Sequence, residues 1–309
     1  MWITSSLTQV LTPTAIALGN FDGIHRGHQQ VIQSICGIPG QVATVVTFDP
    51  HPYTFFTGQQ RPLLTPRAEK VQQLEQLGIE QLVLLPFDQA LSQLSAAQFV
   101  QEIVLARLQA AQIAVGADFR FGQHRQGDAP LLKTLAAAAG VPVTIAPLQQ
   151  LGSERISSSA IRQALDAGEM AQVRQLLGRS YCLMGEVSQG QQLGRTLGFP
   201  TANLQLPSEK YLPRSGVYQV RVESPQQPEL LPEAGQLGVM NLGCRPSVTA
   251  AGQTTVEVHL LNWSGDLYGR QLTVKLERFL RPEQKFSSLA ELQAQIRQDC
   301  AIAQALIPV

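Results

Sequence analysis

The stretch Ala15–His28, AIALGNFDGIHRGH, decides the fold of the first half of the chain. It begins with a short apolar run without alternation, which is typical of a strand covered on both faces in a parallel sheet. A glycine turn follows, and the stretch then opens a helix. Four further runs of the same kind lie at Val42–Phe48, Leu82–Pro86, Ile113–Gly116 and Val141–Ala146.

Helical segments separate these strands. Thr65-Pro66 begins one, with a capping residue and then proline at the first helical position, and it ends at Gly78. Ser95–Gln98 is a capping box for the next, and Ala129–Ala139 is a third, ending at Gly140. Alternating strands and helices predict a doubly wound, Rossmann-like α/β domain with a parallel sheet. Ligands in such sheets bind at the carboxyl ends of the strands.

The pattern changes after Gly178. Short strands then alternate polar and apolar residues between glycine and proline turns, at 217–222, 256–261 and 272–276. They predict a small antiparallel β-barrel. The boundary falls near Gly178–Leu183, which gives domains of residues 1–182 and 183–309.

A final helix begins at about Ser288. Ser288–Glu291 is a capping box. One apolar stripe follows it, formed by Leu289, Leu292, Ile296 and Cys300. We expect this stripe to pack on the barrel.

Composition narrows the class of protein. A chain of 309 residues with zero formal net charge suits two ordinary domains and does not favour nucleic acid as a main partner. The four cysteines are far apart without a CxxC pair, so free thiols are a simpler interpretation than a zinc site or disulfides. No signal-peptide n-region and no membrane-spanning apolar run are visible. We expect a cytoplasmic enzyme without a membrane partner, and weak self-association stays open.

The segment Gly19–His28, GNFDGIHRGH, carries the first candidate site. Its glycines allow close backbone approach, and a helix N-terminus suits a phosphate group. His25 and His28 can donate hydrogen bonds to a reacting phosphoryl group. A metal pair would need further ligands, which are not obvious nearby, and a chance surface pair would not explain the glycines. GxGxxG and Walker A are absent, so the segment is neither a standard dinucleotide-binding turn nor a P-loop. The HxGH element between a strand and a helix indicates nucleotidyl transfer.

The segment Gly194–Asn203, GRTLGFPTAN, carries the second candidate site. Arg195 and the glycines suit a loop that wraps phosphates. Thr201 and Asn203 offer the hard oxygen ligands that Mg²⁺ prefers. Glu257 could accept the proton of a substrate hydroxyl, although the strand pattern alone favours an ordinary outward-facing residue.

The ordered motifs resemble those of bacterial bifunctional riboflavin kinase/FAD synthetases. In the first half they are GNFDGIHRGH, TFDPHP at 47–52, VGADFRFG at 115–122, RQGD at 125–128 and RISSSAIR at 155–162. In the second half they are GRTLGFPTAN, YLPRSGVY at 211–218, GVMNLGCRP at 238–246, VEVHLLNWSGDLYG at 256–269 and LRPEQKFSSLAEL at 280–292. The resemblance covers nearly the whole chain.

For the first domain the resemblance implies adenylylation of FMN by ATP, which gives FAD and pyrophosphate. His25 and His28 would hold the ATP phosphates. The loop around ATP would contain Gly19, Phe21, Asp22 and Gly23. Asp118 would lie near the nucleotide and the flavin, and a second phosphate-binding element would contain Arg155, Ser158, Ser159 and Arg162. The serine run alone would favour a simple helix cap.

For the second domain the resemblance implies phosphorylation of riboflavin to FMN, with ADP as the other product. Its nucleotide-binding residues would be Gly194, Arg195, Gly198, Thr201 and Asn203. Thr201 and Asn203 would also bind Mg²⁺, and Glu257 would be the base for the riboflavin 5′-hydroxyl. The chain departs from the usual family residue in having serine for threonine at Ser159 and Ser247, and asparagine for aspartate at Asn262.

Three alternatives remain at this stage. The chain could be a single-activity enzyme with one degenerate module, a flavin-binding storage protein, or another HxGH adenylyltransferase. Motifs in both halves argue against the first, and the barrel motifs argue against the third. Retention of His25, His28 and Glu257 argues against storage, which needs no phosphoryl chemistry.

Overall fold

The computed structural model describes residues 1–189, 194, 197–245 and 253–305. These residues form two compact units, Met1–Ser158 and Ser159–Val309. Each is described by itself below.

The N-terminal unit contains a six-stranded parallel sheet with the strand order β1-β4-β3-β2-β5-β8. Its strands, including those of two short hairpins, are β1 (Trp2–Thr4), β2 (Thr14–Leu18), β3 (Val42–Asp49), β4 (Gln81–Pro86), β5 (Ala110–Gly116), β6 (Arg120–Phe121), β7 (Gly127–Asp128), β8 (Val143–Ala146), β9 (Gln150–Leu151) and β10 (Glu154–Arg155). Its helices are α1 (Arg26–Gln33), α2 (Pro52–Thr57), α3 (Arg67–Gln76), α4 (Gln89–Gln93), α5 (Ala96–Gln98), which continues as a π-helix (Phe99–Arg107), and α6 (Ala129–Ala137). Short 3₁₀ turns lie at Leu7–Gln9 and Gln123–Arg125.

The five predicted strands of this sheet are all present. They are unbroken apolar runs because the sheet is covered on both faces: in β2, Ile16 and Leu18 enter one core cluster, whereas Ala15 and Ala17 enter the other. The structure adds β1, which pairs with β4 at the edge of the sheet. A strand of three residues is too short to show a pattern in the sequence.

The predicted start of α3 is wrong by one residue. Pro66 is the N-cap residue, and its side chain makes no hydrogen bond to the first turn of the helix. The Thr65 hydroxyl instead accepts a hydrogen bond from the backbone N–H of Gly23, at 2.9 Å. The capping box at Ser95 is confirmed, and Gly78 and Gly140 follow their helices with positive φ angles.

The C-terminal unit contains a closed barrel with the strand order β11-β12-β15-β14-β13-β16. Its strands are β11 (Tyr181–Ser188), β12 (Ala202–Gln205), β13 (Gly216–Glu223), β14 (Gln236–Arg245), β15 (Gln253–Leu260) and β16 (Gln271–Arg281). Its helices are α7 (Ser158–Ala167), whose first residue is the last residue of the N-terminal unit, α8 (Met170–Leu177) and α9 (Leu289–Ala305), with a 3₁₀ turn at Pro228–Leu230. The predicted fold class is therefore confirmed for both halves.

The last helix, α9, packs on the outside of the barrel. Ile296 and Cys300 join Val217 and Val239 in one apolar cluster, which confirms the later part of the predicted stripe. Leu289 is wrong as a packing residue, because this first residue of α9 is 60% exposed. Within the described ranges, none of the helices has the length and apolar character needed to cross a bilayer.

Candidate active sites

The loop between β2 and α1 has an unusual backbone. Phe21 and Ile24 have positive φ angles of 47° and 41°, and Gly23 has one of 91°. Such angles are rare for residues other than glycine and persist where the surroundings hold them. Phe21 and Ile24 are almost completely buried, so their side chains are packed into the core while the backbone between them turns.

Asp22 anchors this loop from inside the protein. Its carboxylate Oδ1 accepts hydrogen bonds from the backbone N–H groups of Leu64 and Thr65, at 2.8 and 3.2 Å. Only 6% of Asp22 is exposed. Its carboxylate therefore shapes the loop by holding the segment before α3, rather than by facing solvent.

Lys70 on α3 adds a second anchor, which the sequence analysis missed. Its Nζ donates a hydrogen bond to the backbone carbonyl of Asn20 at 2.9 Å. Burial lowers the pKa of Lys70, whereas the nearby carboxylates of Asp22 and Asp49 act in the opposite direction. The Lys70 side chain therefore lies at the carboxyl ends of β2 and β3. No sequence pattern separates this lysine from an ordinary helix-surface lysine.

His25 is the N-cap residue of α1. Its Nδ1 accepts a hydrogen bond from the backbone N–H of His28 at 3.2 Å, and a side chain on Gly27 would crowd the imidazole. Burial lowers the pKa of His25 to about 4, so the ring is neutral near pH 7. Because Nδ1 is the acceptor, the neutral ring carries its proton on Nε2 and offers that N–H as a donor.

His28 stacks against His25. The ring centroids are 3.6 Å apart with an interplanar angle of 16°, and the rings of Phe21 and His28 form a T-shaped pair with centroids 5.3 Å apart. The predicted pairing of the two histidines is present. The two rings do not come together by sharing a helix face, because His25 precedes the helix and only His28 lies within it.

Asp118 and Arg155 form an ion pair. Asp118 follows β5, Arg155 ends β10, and each side chain is about half exposed. Both interact electrostatically with His25. The structure therefore brings these two predicted residues into the same site as the histidine.

The serine run lies at the start of α7. The Ser158 hydroxyl donates to the backbone carbonyl of Asp22 at 2.7 Å, whereas Ser159 is exposed. In the C-terminal unit, the Arg162 guanidinium lies over the ring of Tyr211 at 5.3 Å. The nucleotide-binding roles of Ser159 and Arg162 stay predictions.

An aromatic patch flanks the TFDPHP motif, and the sequence analysis missed it. Phe87, which follows β4, makes edge contacts with Phe48, Phe55 and Phe56 at centroid distances of 5.3–5.7 Å. Phe56 is 69% exposed. Exposed aromatic rings of this kind suit a flat apolar ligand.

The second site begins at the Gly194–Asn203 segment. The backbone N–H of Phe199 donates to the carbonyl of Gly194 at 2.8 Å. A Cβ atom on Gly194 would overlap the carbonyl oxygen of Phe199 and lie 3.2 Å from Thr201 Oγ1. Glycine is therefore required for the chain to fold this closely around the Thr201 hydroxyl. Gly198 has a φ of 83°, and Arg195 and Ser247 lie outside the described residues.

Glu257 lies beside Asn203 on the outer face of the barrel. The two residues are directly paired between β12 and β15, so their side chains share one face. Val256 and Val258, on the opposite face of β15, are 4% and 0% exposed. Glu257 is half-buried, and the outward orientation expected from the strand pattern is confirmed. His259, two residues along the strand, is fixed by a 2.8 Å hydrogen bond between its Nδ1 and Pro200 O.

Comparisons with known proteins also divide the chain into two parts. The family model for FAD synthetase matches residues 7–160, and the model for riboflavin kinase matches residues 177–307. A bifunctional riboflavin kinase/FMN adenylyltransferase from Pseudomonas fluorescens is 39% identical over 94% of this chain and 91% of its own length. The chain belongs to the bifunctional riboflavin kinase/FMN adenylyltransferase family. The Escherichia coli K12 relative of the same description is 38% identical over 92% of this chain and 90% of its own length.

Membership in the bifunctional riboflavin kinase/FMN adenylyltransferase family confirms the predicted function. The protein makes FMN from riboflavin and FAD from FMN, with ATP as co-substrate and pyrophosphate as the product of the second reaction. The kinase is the C-terminal part and the adenylyltransferase is the N-terminal part. Models that match both halves argue against a degenerate module and against a different HxGH adenylyltransferase.

A solved structure resembles the whole fold. It is described as a macrolide-efflux protein from Streptococcus pneumoniae, is 28% identical, and covers 98% of both chains with a TM-score of 0.84. This likeness supports the fold, whereas the function rests on the two family models and the relatives.

Proposed function

We propose that each half of the chain catalyses its own reaction with the residues predicted from the sequence, and that residues 1–182 and 183–309 are the functional domains. The observation that carries the proposal is that each unit contains a separate set of groups suited to phosphate chemistry. The N-terminal set surrounds the stacked His25 and His28. The C-terminal set surrounds the paired Asn203 and Glu257.

Thr201 and Asn203 suit a Mg²⁺ ion. Their hydroxyl and amide oxygens are hard ligands, and the close approach of Gly194 leaves no room for a side chain beside the Thr201 hydroxyl. Among the described residues, no group of three or more histidine, cysteine, aspartate or glutamate side chains could hold a metal ion. Nucleotide phosphates and water would therefore supply the remaining ligands. When bound, Mg²⁺ neutralises charge on the phosphates.

Glu257 would accept the proton of the riboflavin 5′-hydroxyl. Its carboxylate is half-buried on the outer face, next to the residues that suit the nucleotide and metal. Phosphoryl transfer depends mainly on positioning and charge neutralisation. We therefore expect the loop of Gly194, Arg195 and Gly198 to matter more for the rate than the base.

In the N-terminal site, His25 would act as a neutral donor. Its Nε2–H can hydrogen-bond a phosphate oxygen without carrying a charge, and the N-terminus of α1 adds a partial positive charge. Arg155 supplies a full positive charge. Because Arg155 is paired with Asp118 here, binding of ATP would exchange that carboxylate for a phosphate. Lys70 and Asp22 would act indirectly, by holding the loop of residues 19–23.

The aromatic patch around Phe56 would receive the flavin ring of FMN. It lies beside the TFDPHP motif at the carboxyl ends of β3 and β4, which is the edge where a parallel sheet binds ligands. A flat, fused ring system fits exposed aromatic side chains better than a phosphate or sugar does.

The remaining partners follow from this chemistry. Riboflavin, FMN, FAD, ATP, ADP and pyrophosphate are the expected ligands, and neither nucleic acid nor a membrane is expected to bind. A cytoplasmic location is supported by the free thiols of Cys36, Cys182 and Cys300. Weak self-association remains a prediction to be tested by sedimentation.

A product assay tests the proposal. The purified protein is incubated with riboflavin, ATP and Mg²⁺, and riboflavin, FMN and FAD are separated by chromatography. We expect FMN first and FAD later. His28→Ala should abolish FAD formation but not FMN formation, and Glu257→Ala should abolish FMN formation but still convert supplied FMN to FAD. If both folded variants lost both activities, the division of labour would be wrong.

A further inference from the structure

The outer face of the barrel carries more polar residues than the proposed base and metal ligands. Glu257 is directly paired with Asn203 on one side and with Asn241 on the other, through β12, β15 and β14. Side chains in one such row project to the same face. All three residues are half-buried. They form a continuous polar row across three neighbouring strands.

Glu283 reaches this row through a space that Gly243 leaves open. Gly243 lies two residues beyond Asn241 on β14, so it shares the same face. A Cβ atom on Gly243 would overlap Glu283 Oε1 and would lie 3.2 Å from Asn241 Nδ2. The Glu283 carboxylate and the Asn241 amide therefore both lie over Gly243. The backbone of Gly243 is not left-handed, so space rather than backbone geometry explains the glycine.

We propose that Glu283, together with Asn241, binds the polyol chain of riboflavin and so determines the substrate of the kinase reaction. This inference rests on the proposed function of the C-terminal site. A carboxylate accepts hydrogen bonds from more than one hydroxyl group, and an amide both donates and accepts. A chain of hydroxyl groups that ends at Glu257 therefore finds matching partners further along the row.

The spacing of the row fits this role. Neighbouring strands lie roughly 4.8 Å apart, so the distance from β12 to β14 is about 10 Å. The metal ligands Thr201 and Asn203 lie at the β12 end. Glu283 lies at the β14 end, well beyond the roughly 2.1 Å at which Mg²⁺ binds oxygen. Glu283 is therefore placed to bind the polyol chain and lies too far away to bind the metal ion.

Steady-state kinetics of the full chain test the assignment. Glu283→Gln should raise KM for riboflavin about tenfold, as expected for loss of hydrogen bonds to a charged group, and leave KM for ATP and the Mg²⁺ requirement unchanged. Lumiflavin has the same ring but a methyl group in place of the polyol chain. Its inhibition constant should therefore stay at the wild-type value. Glu229→Gln, which changes an exposed glutamate in the 3₁₀ turn, is the matched control.

Gly243→Ala provides an independent test, because it displaces the carboxylate without removing it. We expect a similar rise in KM for riboflavin. In a Glu283→Ala background, the same glycine substitution should have a much smaller effect, since only the 3.2 Å contact with Asn241 Nδ2 remains. An additive effect in the double variant would show that Gly243 acts through the barrel itself and would overturn its part of the proposal.

The other outcomes are equally decisive. An unchanged KM for riboflavin in Glu283→Gln, an equal rise in the lumiflavin inhibition constant, or a changed Mg²⁺ requirement would each overturn the role in polyol binding. A Glu257→Ala variant that still made FMN at the wild-type rate would instead overturn the proposed function of the C-terminal site. The Glu257 and Glu283 variants thus separate the two failures.

Discussion

The buried, neutral His25 makes the stability of the N-terminal unit depend on pH. Its pKa falls from 6.5 to about 4 because burial disfavours the charged ring. The unfolded chain therefore binds a proton between these values that the folded chain does not bind. Stability from this residue is complete above pH 6.5 and is lost as the pH falls towards 4.

The magnitude follows from that difference in pKa. At 1.36 kcal/mol for each pKa unit, the full loss is about 3 kcal/mol, and about 2 kcal/mol of it has occurred by pH 5. Only 7% of His25 is exposed, so screening by solvent is small. A loss of this size is a large part of the stability of an ordinary domain.

The perturbation is His25→Asn. Asparagine keeps an N-cap acceptor for α1 but does not titrate. The free energy of unfolding is measured with urea between pH 7 and pH 5. Of the two tryptophans of the chain, Trp2 lies in the N-terminal unit, so a Trp263→Phe background makes fluorescence report on that unit.

We expect wild-type stability to fall by about 2 kcal/mol more than that of His25→Asn between pH 7 and pH 5. His124→Asn is the matched control, because His124 is exposed and asparagine tolerates its left-handed backbone. Its pH dependence should follow the wild type. Parallel curves for the wild type and His25→Asn would refute the assignment of a buried neutral imidazole.

Three further predictions concern FAD formation from supplied FMN. Lys70→Met should lower this activity but leave riboflavin phosphorylation unchanged, and Lys70→Arg should restore part of it. A loss of both activities would indicate general misfolding. Asp118→Asn should free Arg155 and lower KM for ATP by at most about fivefold, as expected for an exposed ion pair; a raised KM would show that the carboxylate itself binds the nucleotide. Phe56→Ala should raise KM for FMN by about two- to tenfold through loss of ring contacts, with KM for ATP unchanged. An unchanged KM for FMN would exclude the aromatic patch as the flavin site.

The architecture could be predicted from sequence because it depends on local patterns. The unbroken apolar runs at Ala15–Leu18 and Val42–Phe48 reflect burial on both faces, whereas the alternation at Val256–Leu260 reflects burial on one. His25 and His28 were found because they lie three residues apart in one motif. These features require no knowledge of distant contacts.

The missed features all depend on contacts between distant parts of the chain. Lys70 donates a hydrogen bond to a backbone carbonyl fifty residues away. The Thr65 hydroxyl accepts a hydrogen bond from a loop forty-two residues away instead of capping its own helix. Asp118 and Arg155 are brought together from separate elements. Such partners have no fixed spacing in a sequence, so the sequence predicted Asp118 and Arg155 as candidates but not their pairing.

The closed barrel separates the apolar groups that fill its interior from the outer polar row that is proposed to meet the substrate. Val256 and Val258 fill its interior, while Glu257 between them faces outward. Residues of the outer row can therefore be exchanged without opening a cavity inside. An engineer who wishes to make the kinase accept a flavin with a different side chain can vary Asn241 and Glu283 and leave the interior untouched.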